Sequence, residues 1–203
     1  SVGWWAVSDG SVDGMPTGAL VRYREWYGAP ANPVTGRVDG TKGLRMDAGD
    51  VAKEILARSV GEDIAYTVID PSSKRTDSGP SPAEKMMRAG LPLVWADRAR
   101  EPGWAELYGR LRGVDGVPMI YFFDTCVDTV RTLPVLQADM RRLEDVDTTG
   151  EDHAADDTRY ACMSRPWVKV EKVKKPPRWQ KTMSEMIGDL SRRRSGGEER
   201  ITL

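Results

Sequence analysis

One histidine, His153, and two cysteines, Cys126 and Cys162, are all that this 203-residue chain holds of those types. Zinc sites built on several histidines are excluded, and the cysteine spacing offers no disulfide framework. Both cysteines fall in segments that read as buried, which fits a reducing compartment. No apolar run approaches the roughly 20 residues that cross a bilayer. Nothing matches the Gly-x-x-x-x-Gly-Lys-Ser/Thr phosphate loop, and there is no internal repeat. Without a histidine cluster or a convincing Ser/His/Asp set, covalent hydrolysis through an activated nucleophile has little to work with.

What is present divides the chain in two. A 39% hydrophobic content over 203 residues suffices for one sizeable core with an appended tail. The net charge of −1 splits into −7 for residues 1–164 and +6 from Arg165 onward, where eleven Lys and Arg meet five acids. We therefore expect a compact domain over residues 1–166 and a basic, partly disordered tail over 167–203. In that tail Lys169, Lys172, Lys174, Lys175, Arg178 and Lys181 interleave with Trp167 and Trp179, a composition suited to phosphate contacts or to docking on another protein. Lys181–Leu190 has the spacing of a short amphipathic helix.

Along the body, Ser1–Val7 and Ala19–Tyr27 read as two antiparallel strands, the first truncated at its start. Residues 30–43 read as a surface loop, and Asp47 opens a first helix through Val51, Ala52, Ile55 and Leu56. Apolar runs at Ile64–Ile69, Leu91–Ala96 and Met119–Phe123 predict buried strands that end on Asp70, Asp97 and Asp124. Helical spacing predicts helices over 82–89, 102–112, 126–133 and 152–163. Strands first in a hairpin, then alternating with helices, argue an α/β fold with a mixed sheet flanked by helices.

Chemistry concentrates late in the body. From Asp139 to Asp157 there are eight acids against two bases, Arg141 and Arg142. If Asp152 opens a helix, Asp156 lies one turn later on the same face, while Ala155, Thr158, Ala161 and Cys162 can pack inward. Two convergent carboxylates suit a hard cation such as Mg²⁺ or Mn²⁺. The same residues also suit a solvated acidic loop feeding a helix, whose N-terminus welcomes acids. Asp70 stands at a strand's carboxyl end, where open α/β sheets place their ligands, although an Asp before Pro is also a common turn former. Asp70 with Asp152 and Asp156 form the candidate metal site. Such a site could cleave phosphodiesters by a two-ion route, with the ions about 3.5–4 Å apart.

An ordered series of motifs carries a resemblance. It comprises Asp70-Pro71-Ser72, Asp77 through Glu84, Ala96-Asp97-Arg98-Ala99-Arg100 with Gly103-Trp104, and Phe123-Asp124-Thr125-Cys126. It continues through Arg131-Thr132-Leu133-Pro134 and Glu144-Asp145-Val146-Asp147-Thr148 to Glu151-Asp152-His153, Asp156, Arg159-Tyr160 and Ser164-Arg165-Pro166. Over nearly the whole body this series resembles the C-terminal nuclease domain of the large terminase subunit of tailed bacteriophages. The resemblance implies a ribonuclease-H-like fold and an endonuclease that uses Mg²⁺ or Mn²⁺, with two ions in the intact domain, to cut concatemeric viral double-stranded DNA. It implies an upstream ATPase domain, a portal protein and a small terminase subunit as partners, in the host bacterial cytoplasm at the procapsid portal. It places the family's strand-end acid on Asp70 and its late acid on Asp152, with Asp156 a competitor. The order Asp152-His153 departs from the family's His-Asp-Asp. The family's first acid would precede Ser1, so the chain as given is expected to cleave poorly, with Glu25 and Asp97 as possible substitutes. Other ribonuclease-H-like nucleases, such as resolvases or integrases, and a non-catalytic DNA- or portal-docking module are the alternatives.

Overall fold

A computed structural model describes residues 1–30, 43, 45–76 and 79–167. The expectations for the surface loop over 31–42 and for the tail beyond Trp167 lie outside the described residues, as do Asp77 and Ser78. Strands β1 (Val2–Val7) and β2 (Leu20–Trp26) form the expected antiparallel pair. Helix α1 (Ala48–Arg58) starts where Asp47 accepts a hydrogen bond from Gly49 N at 2.9 Å. There follow β3 (Thr67–Ile69), a 3₁₀ turn at Pro71–Lys74, α2 (Pro82–Arg88) and β4 (Leu93–Trp95). The body ends with α3 (Arg100–Arg112), β5 (Ile120–Phe122), α4 (Val127–Thr132), a second 3₁₀ turn at Leu133–Val135, and α5 (His153–Ser164). The architecture is mixed α/β, and among the described residues no helix is long and apolar enough to cross a membrane.

The strands do not form the single sheet expected from their order. β5 joins β2 in parallel, giving a three-stranded sheet β1-β2-β5, while β3 and β4 pair in parallel as a separate two-stranded sheet. The run at Ile64–Ile69 is strand only over its last three residues, since β4 offers a partner over Leu93–Trp95 alone. Nor is β4 a buried strand: Val94 is 48% and Trp95 37% exposed, and since adjacent residues point to opposite faces, neither face of this two-stranded sheet is fully covered there. Asp124 therefore stands at the end of a strand in a different sheet from Asp70 and Asp97.

Alternation along β1 sends adjacent tryptophans to opposite faces. Trp4 packs with Ala52, Ile55 and Leu91 against α1 and α2, and its indole N–H donates to Ser59 Oγ at 2.9 Å. Trp5 joins Leu20, Leu107, Ile120 and Cys162 against α3 and α5. Helices thus cover both faces of the larger sheet. Cys126 and Cys162 are both free and fully buried, as expected, and burial pushes the Cys162 thiol up to about 12, so it behaves as a small core side chain.

Candidate metal-binding site at the start of α5

Helix α5 turns small residues inward. Ala154, Ala155, Thr158 and Cys162 are buried, and Thr158 Oγ1 returns its proton to the Ala154 carbonyl at 2.7 Å. That leaves His153, Asp156, Asp157 and Tyr160, spaced three or four apart, on a face that lines a cleft of about 1490 Å³. Asp70 lines the same cleft from the end of β3.

Asp152 occupies the N-cap position, but with φ −95° and ψ −4° its side chain accepts no first-turn N–H. It is only 8% exposed and does not line the cleft. The one basic nitrogen within 4 Å of it among the described residues is His153 Nδ1 at 3.6 Å, which forms an ion pair only with a protonated imidazole. Burial first, and then the charge of Asp156, raise its carboxyl above the usual carboxylate range. Asp152 and Asp156 lie one turn apart with like charge, Asp156 N donating to the Asp152 carbonyl at 2.8 Å, but only Asp156 reaches the cleft.

Asp156 is partly balanced by arginines. Arg159 Nη2 lies 3.1 Å and Arg100 Nη1 3.7 Å from its Oδ1. Arg100 also grips Asp145 through Nε at 2.8 Å, and the Trp104 indole donates to that same carboxylate at 2.8 Å. Arg159 is 1% exposed and lies over the Trp104 and Tyr160 rings. Its passage depends on Gly103 of α3, where a Cβ would stand 2.6 Å from Arg159 Cγ.

Asp70 accepts from the Tyr160 hydroxyl and, at 2.6 Å, from Ser72 N. Burial acts most strongly on this carboxyl and raises it, yet the hydrogen bonds of Tyr160 and Ser72 together outweigh burial and hold it below its ordinary value. The partnership also helps push the Tyr160 hydroxyl up to about 12, after burial. At 1.5 Å per residue, Tyr160 sits about 6 Å along the α5 axis from Asp156 and about 12 Å from Asp152. The structure thus brings Asp70 and Asp156 to one cleft and sets Asp152 behind them at the helix start.

No three His, Cys, Asp or Glu among the described residues converge closely enough to hold a metal ion. A site of two carboxylates completed by water and substrate phosphate remains within the habits of Mg²⁺. Asp152 and Asp156 fit it in chemistry, because the charge of Asp156 raises the buried Asp152 carboxyl and a hard cation would relieve that repulsion.

The substitutes considered from the sequence have other occupations. Glu25 accepts from Asp128 N (2.6 Å), Thr129 N (3.1 Å) and Thr129 Oγ1 (2.7 Å), so it holds the first turn of α4. Asp97 accepts from Ala99 N at 2.9 Å and starts a loop. The sequence reading passed over Asp157, which accepts from Arg22 Nη2 at 2.8 Å and from Ser1 Oγ at 2.9 Å. It also passed over Tyr160 as a partner of Asp70. The 153/156/157/160 spacing was the available signal for both. Comparison with known protein families, curated proteins and solved structures finds no match to this chain.

Proposed function

We propose that residues 1–166 form a ribonuclease-H-like, Mg²⁺- or Mn²⁺-dependent endonuclease domain of a terminase large subunit, cutting concatemeric viral double-stranded DNA during genome packaging. The observation that carries this reading is the like-charge pair at the head of α5, where burial and the charge of Asp156 raise the Asp152 carboxyl, with Asp70 facing the cleft that Asp156 lines. Asp152 and Asp156 would hold the ion, which when bound would stabilise charge on phosphate oxygens and make a water more acidic. Arg100 and Arg159 orient Asp156, and Arg100, the more exposed of the two, would be released toward phosphate as a cation takes over that charge. Tyr160 and Ser72 keep Asp70 ionised and aimed, so it can accept a proton or join a second ion. The ATPase, portal and small-subunit partners, and the setting at the procapsid portal, belong to the same proposal.

A second reading, a non-catalytic DNA- or portal-docking module, is favoured by the arginines that already balance Asp156. Calorimetry with Mn²⁺ and cleavage of supercoiled plasmid separate the two. A nuclease domain should bind Mn²⁺ through these carboxylates and show Mn²⁺-dependent nicking, however slow, whereas a docking module should show neither. Asp70→Asn and Asp152→Asn should each reduce that cleavage about 100-fold or more, since several kcal/mol of charge stabilisation would go. Mn²⁺ binding that neither substitution weakens, or no Mn²⁺-dependent cleavage, rejects the nuclease.

A further inference from the structure

Alone among the described tryptophans, Trp95 is an exposed residue. It ends β4 in register with Ile69 at the end of β3, and Ala96 N donates to the Ile69 carbonyl at 2.9 Å. Trp95 and Asp70 therefore stand at the same carboxyl end of the small sheet, on strands roughly 4.8 Å apart. Successive residues alternate, so the ring points to one face and the Asp70 carboxylate to the other. A ligand that touches both must be extended and lie across the end of the sheet. The 3₁₀ turn after Asp70 carries Lys74, whose Nζ lies 3.9 Å from the centre of the Trp95 ring. Such a contact is weak at an exposed site, so a better partner for the ring face can displace it.

Cations gather at the same end. Lys74, Arg75 and Arg98 are all exposed, and none of them forms an ion pair among the described residues, whereas Lys85 is held by Asp47 and Arg100 by Asp145. Asp97, the acid beside Arg98, accepts from Ala99 N at 2.9 Å. Arg98 lies close enough to Asp70 to act on it: after burial and the hydrogen bonds of Tyr160 and Ser72, its charge is the next influence on that carboxyl and lowers it. An accessible aromatic face flanked by unpaired cations is how proteins hold single-stranded nucleic acid, with bases stacked and phosphates paired. An acidic peptide would use the cations and leave the ring idle. A bilayer surface would need a broader apolar face than one indole.

We infer that this end of β3 and β4 holds a nucleic-acid strand with one base unstacked onto the Trp95 ring and its phosphates on Lys74, Arg75 and Arg98. The partner it fits is a single strand, or a duplex only where a base can leave its stack. On binding, Lys74 exchanges the indole for a phosphate and the base takes the vacated face. The arrangement reads no base edge, so binding tolerates any sequence. The inference rests on the nuclease reading only for what the strand meets next, the Asp70 carboxylate; strand binding itself needs neither metal nor cleavage.

The test titrates residues 1–203, in EDTA and over a range of salt, against a labelled oligothymidylate of about twelve nucleotides and a duplex of the same length. The single strand should bind more tightly. Trp95→Ala should weaken its binding about 5- to 150-fold and leave the salt dependence alone, while Trp95→Phe keeps most of the affinity. Lys74→Ala and Arg98→Ala should each flatten the slope of log K against log salt by about 0.7. The basic residues after Arg165 are common to every variant and cancel in the comparison. An oligonucleotide carrying 5-iodouracil should, on irradiation of the parent chain, crosslink to the peptide that holds Trp95. Equal affinity of the parent and Trp95→Ala, or crosslinking confined to other peptides, overturns the inference. Failure of both DNAs to bind also overturns it and leaves an acidic protein as the occupant. Plasmid cleavage in Mn²⁺ is scored separately, so absent cleavage with strand binding intact counts against the nuclease alone.

Discussion

Removing the Asp157 carboxylate should be among the most damaging single changes to this fold. Arg22 is fully buried, its Nη2 lies 2.8 Å from Asp157 Oδ2, and its Nη1 donates to Thr158 Oγ1 at 3.2 Å. Stripping one partner from a buried ion pair costs about 3–5 kcal/mol, because the remaining charge stays desolvated. Two features moderate that figure. Asp157 is 18% exposed, and Glu25 stands 3.6 Å from the same guanidinium. Yet Glu25 is already committed to three donors of α4 and cannot turn wholly to Arg22. We therefore expect Asp157→Ala to cost about 3 kcal/mol, lowering Tm by about 6–12 °C at the 2–4 °C per kcal/mol of a domain this size. Asp157→Asn keeps an acceptor oxygen and should lose about half as much. The double change Arg22→Met with Asp157→Leu removes the orphaned guanidinium but leaves Glu25 without a cation, held by the three α4 donors alone, so it should cost no more than Asp157→Ala. Urea unfolding followed by tryptophan fluorescence reads all three. A loss under about 0.5 kcal/mol for Asp157→Ala would show that Arg22 finds water or another partner, and the reasoning from burial would fail.

Asp152 should give a pH signature of the opposite kind from a salt-bridged acid. Its folded carboxyl is raised, so its contribution is fully present below the unfolded value near 3.8 and is lost as pH rises through the folded one. Asp152→Asn should match the parent in acid and exceed it in stability at neutral pH without metal. Millimolar Mn²⁺ should then stabilise the parent, by about 2.7 kcal/mol at one hundred times Kd, and the variant hardly at all. Equal melting curves across pH 3–8 would contradict the raised carboxyl. Glu25→Ala strips three donors of their acceptor at the head of α4 and should cost about 2–3 kcal/mol, with fast amide exchange at Asp128 and Thr129 as the local readout. Gly103→Ala sets a methyl against Arg159 and should cost about 1–3 kcal/mol. A crystal structure of that variant with Arg159 unmoved would refute the crowding argument.

Local order was legible where the cause is local. The alternation of Trp4 and Trp5, the Asp47 cap before α1 and the small-residue spacing of α5 each operate within about ten residues, and dihedral preference and hydrophobic period decide them. The sequence by itself determined the α/β composition of the body, the strand end at Asp70 and the placing of Asp152 and Asp156 on successive turns. It did not determine what those acids meet. Asp156 is balanced by Arg100 from α3, Asp70 is held by Tyr160 ninety residues later, and Glu25 caps α4 across 103 residues. Nor did it determine the division into two sheets, because strand-forming tendency names no partner. Pairing is settled by which edges the helices bring within hydrogen-bonding range. α5 packs on both β1 and β3 and holds them on either side of a cleft, and that packing, rather than any residue in either strand, left their facing edges open.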